Sequence, residues 1–323
     1  MSDLDYTFAV ARIRVKEKSL LSDTDISQMT AMKDERAVLG YLADRGWGDG
    51  DGSTDAEAVL RAEERKTVEL VKELKIDPAV FELLSYPNLY HNLKAGIKEI
   101  CTSDANVGAF FDDETYGREA MLRILQNKSF AELPEHMREV AEAAYASMLE
   151  TRDGQRCDIL VDRACLEAME KAGQKSKSRL LREYVESTVA VSDIKIAARA
   201  QKTGKSLAFL KEALAPCRSL DTRKLAIAAS ESEEALINCL DAQGFHEAGE
   251  ALKESPSAFE RWCDNRLIET IRPEKANSVS MGPVIAYYLA RQNEIKTVRI
   301  ILTAKANGFS EEATRERVRD MYV

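Results

Sequence analysis

Apolar residues recur along this chain at gaps of three and four with little interruption, the spacing of helices that bury one face. From Asp55 to Lys75 the apolar positions are Val59, Leu60, Val68, Val71 and Leu74, set among Glu, Arg and Lys. Thr54–Asp55–Ala56–Glu57 reads as a capping box opening that stretch. A second long helix is predicted from Ser178 to Lys202, with Leu181, Tyr184, Val185, Thr188, Val191, Ile194 and Ala198 on its apolar face. A third is predicted from Val284 to Ala306, carrying Ile285, Tyr288, Leu289, Ile295, Val298 and Leu302. Pro78, Pro87, Pro134, Pro216, Pro256, Pro273 and Pro283 are expected between the periodic segments, where proline starts or stops a helix. No alternating run of Val, Ile, Thr and Tyr reads as a strand. The segment GWGDGDGST, Gly46–Thr54, is expected as a surface loop between the first helical group and the next. The predicted fold class is all-α.

Internal repetition adds organisation to that pattern. HNLKAGIK (His91–Lys98), SDIKIAAR (Ser192–Arg199) and NEIKTVRI (Asn293–Ile300) align without gaps. Their lysines, Lys94, Lys195 and Lys296, stand 101 residues apart each time, preceded by Leu93, Ile194 and Ile295. A second element also occurs three times. ERAVLGYLADRGW ends at Trp47, GREAMLRILQNKSF at Phe130 and EEALINCLDAQGF at Phe245. These copies share Ala37, Ala120 and Ala235, then Leu42, Leu125 and Leu240, then the terminal aromatic. Asp23–Thr24 further matches Asp221–Thr222, at the offset of 198 that also relates Gly46 to Gly244. One such pair between amphipathic helices is expected by chance. Two independent sets in the same alternating order predict three related helical units. The expected divisions are 1–105, completed by the C-terminal segment; 106–204; and 205–323 with the C-terminal helix.

Composition narrows the functions. The 323 residues include only 15 glycines and seven prolines, too few turn-formers for a sandwich or barrel. With 46 Lys and Arg against 55 Asp and Glu, the net charge is −9, a poor match to a phosphate backbone, so nucleic acid is not an expected partner. The longest wholly apolar stretch near a helix, Val284–Ala290, is far short of the roughly 18–20 residues of a membrane span. The start, MSDLDYTFAV, lacks a signal-peptide pattern, so the expected location is cytoplasmic. Six cysteines without a C-x-x-C spacing are expected as reduced, mostly buried thiols.

Motifs that could carry chemistry are incomplete. TGKS, Thr203–Ser206, resembles the end of a phosphate-binding loop, but Arg199 stands where that loop needs a glycine, and no strand precedes it. Gly204 is better read as a helix cap. Asp49, Asp51 and Ser53 imitate the start of a calcium loop whose sixth and twelfth positions are here Thr54 and Leu60 rather than Gly and Glu. Asp112–Asp113–Glu114 lacks the last aspartate of a magnesium-diphosphate motif and is expected to cap the helix of Ala120 and Leu125. His91, His136 and His246 are far apart, with no metal-ligand spacing. No catalytic residue, metal ligand or cofactor-binding residue is expected. The C-terminal Ser310–Val323 reads as a dipole-matched helix, or as a docking helix that packs Val318, Met321 and Tyr322.

YYLARQNEIKTVRIILTAKANGFSEEATRERVRDMYV, Tyr287–Val323, closely resembles the C-terminal signature of the C-type subunit of V/A-type ATPases, the family that includes the d-type subunit of the vacuolar ATPase. FAVARIRVKEKSLL (Phe8–Leu21), LYHNLKAGIK (Leu89–Lys98) and KTGKSLAFLKEAL (Lys202–Leu214) are similar to that family as well. Gly48–Tyr86 and Met148–Ser178 diverge, and Pro216–Cys217–Arg218 replaces an expected glycine-rich turn.

The resemblance implies a funnel of three pseudo-threefold-related helical domains, in agreement with the repeats. It implies a non-catalytic central-stalk subunit of a rotary ATPase or ATP synthase, peripheral to the cytoplasmic face of the membrane. Its implied partners are the D- and F-type shaft subunits and the proteolipid rotor ring, with the membrane stator subunit a further candidate. It implies no cofactor, since nucleotide sites and ion-binding carboxylates belong to other subunits. Lys94, Lys195 and Lys296 are the candidate partner contacts, against the simpler reading of solvated surface lysines. Two other readings stand beside this one: a helical scaffold for a different coiled coil, and a helical enzyme resting on the broken TGKS and DDE patterns.

Overall fold

The chain is described by a computed structural model covering residues 3–50, 53–74, 78–102, 110–278 and 280–323. Sixteen α-helices and no strand occur among the described residues. They are α1 (Asp3–Glu17), α2 (Asp23–Ala31), α3 (Glu35–Asp44), α4 (Ala56–Glu73), α5 (Pro78–Thr102) and α6 (Arg118–Gln126). There follow α7 (Glu135–Thr151), α8 (Gly154–Lys175), α9 (Arg179–Lys202), α10 (Leu207–Ala213), α11 (Thr222–Glu231) and α12 (Glu233–Ala242). The last are α13 (His246–Glu254), α14 (Pro256–Ile271), α15 (Gly282–Ala306) and α16 (Glu311–Arg315). None is long and apolar enough to cross a membrane, among the described residues.

The helices gather into two compact units, one of residues 1–76, 177–187 and 245–323, the other of 77–176 and 188–244. In the first unit α15 is surrounded, packing on α1, α3, α4 and α14. Its residues are accordingly apolar on most sides, as an enclosed helix requires. Ile295, Val298, Ile301 and Leu302 share one core with Leu21, Ile26, Met29, Val38, Leu42, Trp47 and Leu60, and Met321 joins it from the C-terminus. In the second unit α5 packs on α6, α7 and α8. The approach to α6 is close: a Cβ on Gly96 would come within 2.8 Å of Leu125 Cδ1.

Five local expectations are corrected. Pro87 lies inside α5 rather than between helices. Proline in a helix interior costs roughly 3 kcal/mol, which burial of Leu83, Tyr86, Leu89, Tyr90 and Leu93 outweighs. The cap of α4 is Asp55, whose carboxylate accepts the Glu57 N–H at 3.0 Å, and not Thr54. On α4 the buried face turns toward Glu63 and Thr67 and leaves Val68 exposed. Asp113 caps its own turn, accepting from the N–H groups of Thr115 and Tyr116, while Gly117 occupies the N-cap of α6. Beyond Arg315 the C-terminus is not helical, yet Met321 and Tyr322 are buried. That segment docks on its own chain, so its apolar side chains are used within the molecule.

The TGKS segment separates two helices. Gly204 has a left-handed φ of +62°, and Lys205 N–H returns to Ala200 O at 2.9 Å, closing α9 as a glycine cap does. Ser206 then caps α10 through the Phe209 N–H. Asp49 pairs with Arg65, whereas Asp51, the second residue of the calcium-like pattern, lies outside the described residues. No cluster of His, Cys, Asp and Glu could hold a metal, among the described residues. No cysteine is in a disulfide, among the described residues; Cys157, Cys165 and Cys263 are buried. Burial pushes the Cys157 thiol up to about 11 and Cys165 up to about 12, so both stay protonated.

Candidate functional site

The repeated sequences occupy matching places in helices of matching length. His91–Lys98, Ser192–Arg199 and Asn293–Ile300 lie on α5, α9 and α15, of 25, 24 and 25 residues. Leu93, Ile194 and Ile295 are each at most 1% exposed. The second repeat forms α3, α6 and α12. Leu42, Leu125 and Leu240 are fully buried at the same register, and Ala37 and Ala235 each donate an N–H to the helix cap, Asp34 and Ser232. The terminal aromatics also have like surroundings. Phe130 meets Tyr145 edge-on, Phe245 meets Trp262 edge-on, and the Arg291 guanidinium lies 5.0 Å from the centre of the Trp47 ring.

A third matching position emerges only with burial in view. The residue immediately before each Leu/Ile–Lys pair is a buried hydrogen-bond acceptor: Asn92, Asp193 and Glu294. Each holds a backbone N–H of a segment that leads into the next short helices. Asn92 Oδ1 accepts from Phe111 N–H at 2.8 Å, and its Nδ2 donates to Phe111 O and Tyr116 O. Asp193 Oδ1 accepts from Ala215 N–H at 2.9 Å. Glu294 Oε1 accepts from Leu21 N–H. An unpaired buried backbone N–H is costly, so one side-chain acceptor on a rigid helix fixes each crossover. The signal lies in the repeats themselves, as N-L-K, D-I-K and E-I-K, but three different side chains conceal it.

Around Glu294 the chemistry is ionic. Arg291 donates to both Glu294 and Glu63, and all three are at most 5% exposed. Glu63 also accepts the Gly48 N–H at 2.9 Å, and Lys66 Nζ reaches Glu63 and the carbonyls of Gly46 and Gly48. The glycine-rich segment is therefore anchored, with Trp47 in the core, rather than simply a surface loop; its Asp51 and Gly52 lie outside the described residues. Burial pushes the Glu294 carboxyl up to about 7, against the opposing pull of Arg291 and the Leu21 N–H.

The three candidate lysines share one register. Lys94 pairs with Asp162 of α8 at 2.7 Å, and Lys296 with Asp264 of α14 at 2.7 Å. Lys195 is half-buried at the matching place on α9. His136 is half-buried, stacked on Tyr86 at 4.1 Å, and burial lowers its pKa. This collection orders helices and crossovers; it is not an arrangement of nucleophile, base and oxyanion donors.

Comparison with known proteins agrees. Residues 9–317 match the family described as ATP synthase (C/AC39) subunit. The C subunit of the V-type sodium ATPase of Enterococcus hirae is 21% identical over 272 residues, which cover 83% of this chain and 83% of that protein. Because the family match takes in both compact units and all three copies of both repeats, the chain belongs to the ATP synthase (C/AC39) subunit family, a non-catalytic subunit of V-type ATPase complexes.

Proposed function

We propose that this subunit is a rotor socket. It receives the foot of the central shaft, made of D- and F-type subunits, and seats it on the proteolipid ring at the cytoplasmic face of the membrane. Torque then passes between ATP hydrolysis or synthesis and proton or sodium transport, and the membrane stator subunit is a further contact. The observation that carries this reading is the triplet of long helices at equal spacing, each with the same buried core position and the same pinned crossover. Three like units, 1–105 with the C-terminal segment, 106–204 and 205–323, arranged about a pseudo-threefold axis as a funnel, suit a receptacle for a coiled-coil tip. Close-packed cores supply the low compressibility that torque transfer needs.

Lys94, Lys195 and Lys296 are the proposed contacts, where charge would set docking register. Lys94 and Lys296 already face aspartates, so charge reversal would disturb the fold; Lys→Gln at all three positions, with helicity monitored, is the cleaner change. Unaltered assembly of that folded variant with shaft and ring removes the lysines from the interface. The reading itself is tested by co-purification from native membranes. Recovery with the central shaft and the rotor ring supports it, and recovery free of both overturns it.

A further inference from the structure

The three pinned crossovers differ in one chemical respect. Asn92 uses both polar atoms of its amide and carries no charge. Glu294 faces Glu63 of α4 and, on its own helix, Arg291 and Tyr287, so its charge has a cation beside it. Asp193 has neither advantage. Its side chain is fully buried, Oδ1 holds the Ala215 N–H, and Oδ2 has no hydrogen-bond partner among the described residues. Arg163 of α8 is the cation whose field reaches it. That guanidinium is engaged with Glu167 on its own helix and with the carbonyls of Lys211 and Glu212 at the end of α10. Arg218, in the crossover itself, pairs with Glu170 of α8 at 3.8 Å.

We propose that Asp193 is a proton-sensitive pin, protonated while it holds the α10–α11 crossover, so that loss of the proton loosens the segment Leu214–Leu220. An ionised carboxylate in an apolar site without a dedicated cation is much costlier than a neutral carboxyl with one unsatisfied oxygen. Burial accordingly pushes this group up to about 7, against the smaller opposing pulls of the Ala215 N–H and Arg163. Relief comes from the crossover, because Asp193 sits within a long helix while residues 215–221 lie between α10 and α11 in non-helical backbone. Leu214, Ala215 and Leu220 are buried, so opening would admit water to the carboxylate.

The sign follows from linkage. The closed form binds a proton that the opened form releases between the ordinary aspartate pKa and about 7. Opening therefore becomes easier as pH rises through that window and levels off above it. Amide hydrogen exchange of the full chain, corrected for intrinsic rate, reads this out from pH 5 to pH 8.5. Protection of a peptide spanning Leu214–Leu220 is expected to fall by up to about tenfold per pH unit between pH 5 and pH 7, then level off. In Asp193→Asn the same peptide is expected to show no such fall, and a peptide spanning Phe111–Tyr116, held by Asn92, is expected to be flat in both proteins. A flat wild-type profile, or an equal fall in Asp193→Asn, overturns the proposal. Should that variant not fold, carbon-13 carboxyl NMR of aspartate-labelled wild type decides: one aspartate titrating near pH 7 supports the pin, and all titrating below about pH 5 overturns it.

Discussion

Asn92 on α5 and Glu294 on α15 do the same mechanical job by opposite chemistry. Both are buried acceptors on a long helix, and both hold the backbone N–H of an incoming segment. The groups that Asn92 bonds are all neutral, and one amide satisfies three backbone groups. Around Glu294 the acceptor is a carboxylate that needs Arg291, and Arg291 in turn holds Glu63 on α4, which holds the Gly48 N–H. The fold thus constrains the position to an acceptor without constraining its charge. The ionic version ties four stretches of chain together (α15, α4 and the segments of Leu21 and Gly48), whereas the amide ties two. It also makes that part of the molecule depend on one buried cation and on pH.

Removing the cation is expected to produce the largest effect. Arg291→Met leaves Glu63 and Glu294 buried without their shared partner, a change of about 3–5 kcal/mol in stability. The loss should be greatest near pH 8 and smaller near pH 5, where the Glu294 carboxyl can take up a proton. Denaturant unfolding at the two pH values checks both statements; equal small losses would mean that the cluster is not a unit.

The Glu294 carboxyl itself gives the next effect. Its rise from the ordinary 4.5 to about 7 corresponds to roughly 3 kcal/mol. With the native pKa raised, the folded chain binds the extra proton between those values. Its stability contribution is therefore complete below about pH 4.5 and is lost as pH rises to about 7. Asp193 acts in the same direction and His136 in the opposite one. The measurement is consequently the difference in unfolding free energy between wild type and Glu294→Gln, from pH 5 to pH 8. The variant should have the shallower decline.

Asn92→Leu tests the neutral side of the comparison. It removes partners from the Phe111 N–H and from the Phe111 and Tyr116 carbonyls. The expected loss is about 1–3 kcal/mol, with no change in the pH dependence of unfolding. A new pH dependence there would show that the two sites are coupled.

What the chain discloses before folding follows the range of each interaction. Of the three long helices, α9 and α15 are legible because 3.6-residue periodicity is local, and their ends fall within a few residues of Ser178, Lys202, Val284 and Ala306. The lysine register is legible because repeats compare one stretch with another directly. The acceptor beside each lysine is equally present in the text, but Asn, Asp and Glu read as solvent-facing on a helix unless burial is known. Arg291 is invisible for another reason: its partner Glu63 lies 228 residues away. Pro87 misleads because a local rule is overruled by the packing of an otherwise apolar helix.

The smallest expected effects come from the recurring lysines, and they sharpen the contrast between the two regions. Lys94 is the more enclosed, with 18% of its side chain exposed, and has Asp162 at 2.7 Å and Asp158 at 3.7 Å. Lys296 is 49% exposed, and its partner Asp264 also accepts from Arg319 Nε at 2.7 Å. Deleting Lys296 therefore leaves Asp264 paired with a nearly buried arginine, whereas deleting Lys94 takes the cation from Asp162 and leaves Asp158 with Lys98 at 2.6 Å. Surface ion pairs typically contribute between nothing and about 1 kcal/mol. Lys296→Ala should fall at the low end and Lys94→Ala at the high end of that range. Raising salt should shrink the Lys94 effect, because Asp158 and Asp162 remain partly exposed to screening ions. If Lys296→Ala proves the costlier of the two, Arg319 does not hold Asp264 in place, and the C-terminal segment is anchored by its buried Met321 and Tyr322 instead.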